Sequence, residues 1–521
     1  VSVDFAGFCG PSYQLDNRFA SIERLSNWYC VPNESFDEKK FKLALDPCPG
    51  NAAFCTLPVP APFNQPNRNL LELRGTAYGV NGNVVFSIGQ NGVFTQIGNV
   101  VDDGNPVSMV ANGTDQIFIA SAGNGYVIPA GGSVLVPIPI GDFLGATYAT
   151  SQDGYILVAT PNSNGFQISG TDDTPLGDAR LWSAANVSIQ AGQQDYLKAI
   201  VSSREYLRLL CGRRSLIYSN VGNNGIGNFP FQSYSQTIIE TGIDAPFSLA
   251  DLGDSLIWIG QDARGRRACW QDHGFQPQRV SNFAVELFWD SYARVDDAVA
   301  FPMIWLGHLQ YQVTFPSAYI DPVTSNPTGA TWIYDVTVSQ LLGRPVWFER
   351  SFHTALGEIG GRSERFHCYC YGRHLVGSSG LDGNPGAIYQ YSAQAYTDCG
   401  TDVDGNQVQQ PIVRDRIAPH LWQGNKRVIY NRIELEMSRG VGLDGAQFGA
   451  NPQILIRWSN DGGWNWGPEQ SMNMGQIGQF GIRAYYNRCG YARDRVFWIR
   501  CSDPVFASIL GAELDMTPCA S

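Results

Sequence analysis

At 521 residues the chain has room for several domains or one large repetitive fold. Its 57 Gly, 29 Pro and 12% aromatic residues, with only 16% charged, suit short strands joined by tight turns and exclude a bundle of long helices. A net charge of −12 excludes a grip on nucleic acid by counterion release, and no run approaches the roughly 18 apolar residues of a membrane span. Val1–Gly10 lacks the basic and apolar stretches of a secretory signal, so none is expected. The acidity is uneven, with a net charge of about −8 over residues 1–180, about −4 over 181–400 and about zero beyond.

In chain order, residues 1–70 do not repeat. Ser26–Pro32 reads as a strand and Leu57–Pro66, rich in proline, as extended chain. Residues 71–400 hold recurring modules, each a polar turn, an alternating strand, a second turn and a strand with aromatics. They fall at Leu73–Val100, Val107–Ile128, Ala146–Ile168, Leu197–Tyr218, Ser248–Trp270, Val299–Trp347 and Phe366–Tyr391. Units of roughly 40–50 residues, too small to bury their own faces, match propeller blades; a series of β-sandwiches is the other arrangement. One short helix is expected at Phe283–Tyr292, where Ala284, Phe288 and Tyr292 share a face. Gly-rich Asp398–Gln410 reads as a linker. Residues 401–521 form a further β-rich domain, in which Ile433, Leu435 and Met437 alternate with Glu434 and Glu436. The expected fold is therefore all-β, a β-propeller-like core with an additional C-terminal β-domain.

Twelve cysteines at irregular spacing read as reduced, buried thiols, and Cys368-Tyr-Cys370 offers a metal only two ligands. No P-loop, Gly-x-Ser-x-Gly or His-Glu-x-x-His occurs. Gly440-Val-Gly-Leu-Asp-Gly445 fits the dinucleotide spacing, but Ala-Gln-Phe-Gly-Ala-Asn-Pro follows, a poor helix start, so it reads as a turn. Catalytic, cofactor and metal residues are accordingly not assigned, and no cofactor is expected.

Two motifs stand out. Ser459-Asn-Asp-Gly-Gly-Trp-Asn-Trp466 matches the Asp-box pattern seen on blades of sialidases and other propeller glycosidases. In this pattern, which Ser459 opens, Asp461 caps a tight turn, the glycines, Gly463 among them, permit positive φ, and Trp466 packs beneath. Such a box is a folding device; a glycosidase needs two positioned carboxylates, and no pair is singled out. The second motif spans Gly307–Asp335. Leu309, Tyr311, Val313 and Phe315 fall on one face of a strand, with Gln310, Gln312 and Thr314 on the other, the mark of a half-buried strand. Pro316, lacking an N–H, is expected to stop the ladder, and Trp332-Ile-Tyr334-Asp335 starts the next strand. His308 reads as a hydrogen-bonded structural histidine.

A Gly-His strand ending in Thr-Phe-Pro and followed by Thr-Trp-x-Tyr-Asp resembles the packaged-DNA stabilisation proteins of short-tailed bacteriophages, which form the tail hub or nozzle below the portal. Collinear segments extend the resemblance over most of the chain: Leu43–Gly50, Tyr78-Gly-Val-Asn-Gly-Asn83, Pro106–Gly113, Phe229-Pro-Phe231, Gly274–Ser281, Trp458–Gly463 and Gly490–Phe497. There are departures. Ser215–Tyr218 lacks the Glu-x-Trp expected after the Gly-Arg turn, and Tyr319–Gly329 separates the two halves of the second motif; both are expected in surface loops.

The resemblance implies a virion protein and not an enzyme, assembled in the bacterial host cytoplasm. It further implies a hexameric ring around the DNA channel, docked to the portal or its adaptor, with the tail needle or plug and the fibres or spikes nearby. Double-stranded DNA would pass through without tight binding. The rival reading, carried by the Asp box, is a propeller-type glycan-binding or glycan-hydrolysing protein.

Overall fold

Asp153-Gly154 and Leu306-Gly307 each set two successive residues at positive φ, 53° and 85°, 46° and 88°. That is the geometry of the two-residue hairpin whose twist matches its strands. Hairpins of this kind build the chain in a computed structural model that describes all residues except 1, 35–40, 171–177, 190–194, 223–228, 263, 321–326, 355–356, 403, 425 and 520–521.

Among the described residues, six antiparallel four-stranded sheets stand as the blades of a β-propeller. Their first strands are Asn67–Leu73, Ser108–Ala111, Tyr148–Gln152, Leu197–Ser203, Ala250–Asp251 and Glu364–Cys370. The arc between the fifth and sixth blades is filled by Val299–Trp305, His308–Ile320, Pro327–Asp335 and Trp347–Arg350, paired in that order. Glu364–Cys370 packs against both Val299–Trp305 and Asn67–Leu73, which closes the ring. The outer strand of the sixth blade comes from far upstream, where Gly50–Ala53 pairs with Ile388–Ser392. The seven sequence units are thus six free-standing blades and one shared sheet.

Each blade is covered on both faces by its neighbours, so its middle strands are apolar without interruption. Ile117 and Ile119 meet Val80 and Val85 of the first blade. Phe118 and Ala120, between them in sequence, meet Ile156 and Val158 of the third. Leu157 and Ala159 then turn to Leu207 and Leu209 of the fourth.

The same geometry corrects the reading of the Gly-His strand as half-buried. Tyr311, Val313 and Phe315 do share one core face, but Gln310, Gln312 and Thr314 on the other are at most 3% exposed. Nor does Pro316 stop the ladder. The strand runs on to Ile320, and its register against Pro327–Asp335 slips between Phe315 and Tyr319. Such an irregularity tolerates a residue without an N–H.

The C-terminal unit has two sheets. One orders Trp28–Pro32, Leu43–Pro47, Ile509–Pro518, Val428–Met437 and Ala484–Asn487. The other orders Ile22–Ser26, Arg414–Ile417, Asp494–Cys501, Gln453–Ser459 and Gln470–Asn473. Ile22–Ser26 also meets Trp347–Arg350, so this second sheet continues into the propeller ring. Strands within the first 53 residues therefore serve both units.

Helix α1 covers Phe283–Ser291, capped by the Asn282 side chain, which accepts from Val285 N–H at 2.9 Å. Helix α2, Val336–Leu342, was not expected; Asp335 caps its start and Gly343, in the left-handed region, ends it.

Three loop assignments are also corrected. Ser215–Tyr218 is buried in the third strand of the fourth blade. Thr397–Thr401 and Gln407–Pro411 form a hairpin, not a linker, and Asp398 within it is buried. Tyr319–Ile320 and Pro327–Gly329 belong to strands, while 321–326 lie outside the described residues.

Candidate functional site at the propeller–sandwich joint

The Asp-box loop joins Gln453–Ser459 to Gln470–Asn473 and folds as its residues dictate. Ser459 Oγ donates to Asp461 Oδ1 at 2.6 Å and accepts from the Gly463 N–H at 2.9 Å. Asp461 in turn accepts from the N–H groups of Asn465 (2.9 Å) and Trp464 (3.1 Å). These donors, Asn465 foremost, pull its pKa down to about 2. Gly463, at φ 84°, has no room for a side chain, since a Cβ would run into Ile22. Trp466 lies against Trp498, ring centres 5.1 Å apart, while Trp464 is 61% exposed.

Gly463 and Trp466 form one wall of a cleft of about 460 Å³, and Trp332 of the second motif lines the same cleft. Trp332 is held there by its indole N–H, which donates to Tyr292 Oη at 2.8 Å. Arg24 on Ile22–Ser26 donates from Nε to Glu349 Oε2 at 3.0 Å and from Nη2 to Glu358 Oε1 at 2.6 Å. Burial pushes the Glu349 carboxyl up despite Arg24. Burial works the same way on Glu358, but there Arg24 outweighs it and the pKa falls. Both carboxylates are bonded to one guanidinium, whereas a glycosidase's acid and its partner face the scissile bond.

A second cavity of about 330 Å³, bordered by Trp464 and Asp16, shares Gln14, Arg18 and Phe288 with the first, so the two adjoin on one grooved surface. Arg18 lies over the Trp464 ring at 4.6 Å and donates to the Gly463 carbonyl at 3.2 Å. Its own carbonyl oxygen lies 2.8 Å from Nε2 of His420, whose Nδ1 contacts Asp494 Oδ1 at 2.7 Å. Burial disfavours the imidazolium, but Asp494 outweighs it and raises the His420 pKa.

The remaining motif residues lie elsewhere. His308 Nδ1 is 2.8 Å from Asp335 Oδ2, and Asp335, fully buried, also accepts from Val338 N–H as the cap of α2. Phe315 packs on Trp289 and Tyr292, Tyr334 on Trp347, and Pro316 sits at the register slip. These residues shape the core. Arg18, Arg24, Glu349 and Glu358 carried no sequence signal, because each belongs to a separate strand or loop. Among the described residues no group of three or more His, Cys, Asp or Glu could hold a metal ion, and the twelve cysteines are free thiols.

Similarity to known proteins follows the two units. A family model described as "Bacteriophage P22 Gp10, beta-propeller" matches residues 69–390, and one described as "Bacteriophage P22 Gp10, beta-sandwich" matches residues 414–517. No curated protein sequence matches. Solved structures include selenomethionine-substituted virginiamycin B lyase from Staphylococcus aureus, at 9% identity and TM-score 0.32, covering 60% of this chain and 94% of that one. A catalytically inactive variant of the same lyase with quinupristin reaches 11% identity and TM-score 0.37, covering 66% and 98%. Scores this low carry no weight on function. The two family matches, in order and over most of the chain, place it in the bacteriophage P22 Gp10 family of phage structural proteins of the DNA-stabilisation type.

Proposed function

We propose that this chain is the hub, or nozzle, of a short-tailed phage tail. It docks below the portal or its adaptor, closes the DNA channel to retain the packaged genome, and conducts DNA at ejection. In this reading it acts as a homo-oligomeric ring, with six copies as the working stoichiometry, in the virion. The tail needle or plug and the fibres or spikes attach at or near it, and it has no enzymatic role. The observation that carries the reading is the pair of family matches spanning both units. The fusion of propeller and sandwich through one continuous sheet supports it, since a conduit bearing packaged-DNA pressure needs units that do not hinge. Arg24 wedged between Glu349 and Glu358 argues against hydrolysis in the cleft. Native mass spectrometry of the chain mixed with its portal or adaptor tests the proposal. A ring of defined copy number on the portal supports it; a chain that stays monomeric and unbound refutes it.

A further inference from the structure

We infer that the groove running from Glu358 past Arg18 to Trp464 is a binding site for an oligosaccharide chain. Three observations favour that ligand class, and none depends on the tail reading.

The first is shape. The two cavities, of about 460 and 330 Å³, adjoin and share Gln14, Arg18 and Phe288 in their walls. An extended groove of this kind takes a chain of several units in place of one compact molecule.

The second is the wall. Trp466, Tyr319 and Phe288 line it, and Trp464 is 61% exposed at one end. Aromatic faces are the partners of the C–H faces of sugar rings, and Trp464 stays largely exposed with Arg18 over its ring.

The third is the charge pattern. Arg24 is already matched by Glu349 and Glu358, and Arg18 and Asp16 add one charge of each sign to the lining, so no strong excess of either sign waits for a charged ligand. A wholly apolar ligand would strip water from the two carboxylates without replacing it. Hydroxyl groups meet both demands, since they accept from a guanidinium and donate to a carboxylate.

The groove is also held in shape before any ligand arrives. Trp466 is braced by Trp498, Trp332 by Tyr292, and Arg18 by the Gly463 carbonyl. Little side-chain freedom would be lost on binding.

The test uses the full-length chain and a panel of soluble hexasaccharides of glucose, galactose, mannose and N-acetylglucosamine, titrated by tryptophan fluorescence and calorimetry. At least one should bind. Trp464→Ala should weaken it about tenfold, the scale of one lost stacking face. Trp464→Phe should restore most of the affinity, and Tyr369→Ala, an exposed ring on the sixth blade, should change nothing. Thermal unfolding of Trp464→Ala should match the parent chain, because the side chain it removes is exposed. Failure of the whole panel to bind at millimolar concentration overturns the inference, as does binding indifferent to Trp464. Capture of hexapeptides, lost in Trp464→Ala and unaccompanied by sugar binding, would make the groove a polypeptide site and equally overturn it.

Discussion

Ser26 faces Glu349 across a parallel step in a sheet whose neighbouring pairs are antiparallel, and at that step the sandwich becomes the propeller. The next residue explains how the chain makes the junction. Asn27 sits at φ 56° and is fully buried. Its amide donates to the carbonyls of Val413 (2.7 Å) and Ser351 (3.2 Å) and accepts from Ser351 N–H at 3.1 Å. One side chain thereby ties three chain segments, and asparagine is among the few residues that enter the left-handed region readily.

Asn27→Ala should therefore loosen the joint. It leaves buried backbone groups without partners, at about 1–3 kcal/mol each, so a loss of at least 3 kcal/mol is expected in urea unfolding. Propeller and sandwich should then unfold in separate steps. A loss under about 1 kcal/mol with one cooperative transition would show that the joint is held elsewhere.

The sixth blade offers a second test. Arg362, fully buried, binds Glu364 Oε1 at 2.7 Å and Asp398 Oδ1 at 2.9 Å, and Asn51 of the closing strand donates to Glu364 at 2.6 Å. Arg362→Met strands two buried carboxylates, a change that costs about 3–5 kcal/mol. Hydrogen exchange should speed up first in Gly50–Ala53, the strand this network clamps. Unchanged protection there would remove the network from ring closure.

Asp461 predicts a pH dependence. Its pKa is lowered from 3.8 to about 2 in the folded chain, so its contribution is complete above the unfolded value and fades as pH falls through the folded one. Asp461→Ala should cost about 1 kcal/mol near neutrality, the worth of a lost cap. The gap between variant and parent should shrink between pH 4 and pH 2. Trp466→Ala, removing a partly buried indole, should cost about 3 kcal/mol at any pH. Neither change should abolish a hydrolytic activity. Loss of sialoside or polysaccharide cleavage with folding intact would restore the glycosidase reading.

The net charge of −12 predicts that the purified chain binds free duplex DNA weakly at physiological salt. Tight binding that falls steeply with salt would contradict this, since the slope counts phosphates neutralised by Arg and Lys.

What the sequence made legible was local. Segments such as Ile117–Ala120 and Gly154–Ala159 marked the blades, and α1 was visible from the spacing of Ala284, Phe288 and Tyr292. Helix α2 was not, although Asp335 and Gly343 stood at its ends, because seven residues are too few to show a period. The half-buried reading of Leu309–Phe315 failed for a different reason. Gln310, Gln312 and Thr314 are polar yet buried, and alternation cannot tell a solvated face from one that meets another blade.

The groove was the least legible feature. Gly463, Trp466 and Trp332 were singled out for their motifs, but nothing showed that they meet. Arg24 lies 325 positions from Glu349 and 334 from Glu358, and single charged residues so far apart carry no pattern. Their proximity depends on the sheet that joins the two units, a pairing set by tertiary structure and not by local preference.

The most direct test of the tail-hub account is genome retention. Phage particles assembled without this chain should fill their heads to normal DNA content and then lose that DNA to a nuclease-accessible form, and adding purified chain before leakage should prevent it. Particles that lack the chain yet hold their DNA as firmly as complete ones would contradict the account.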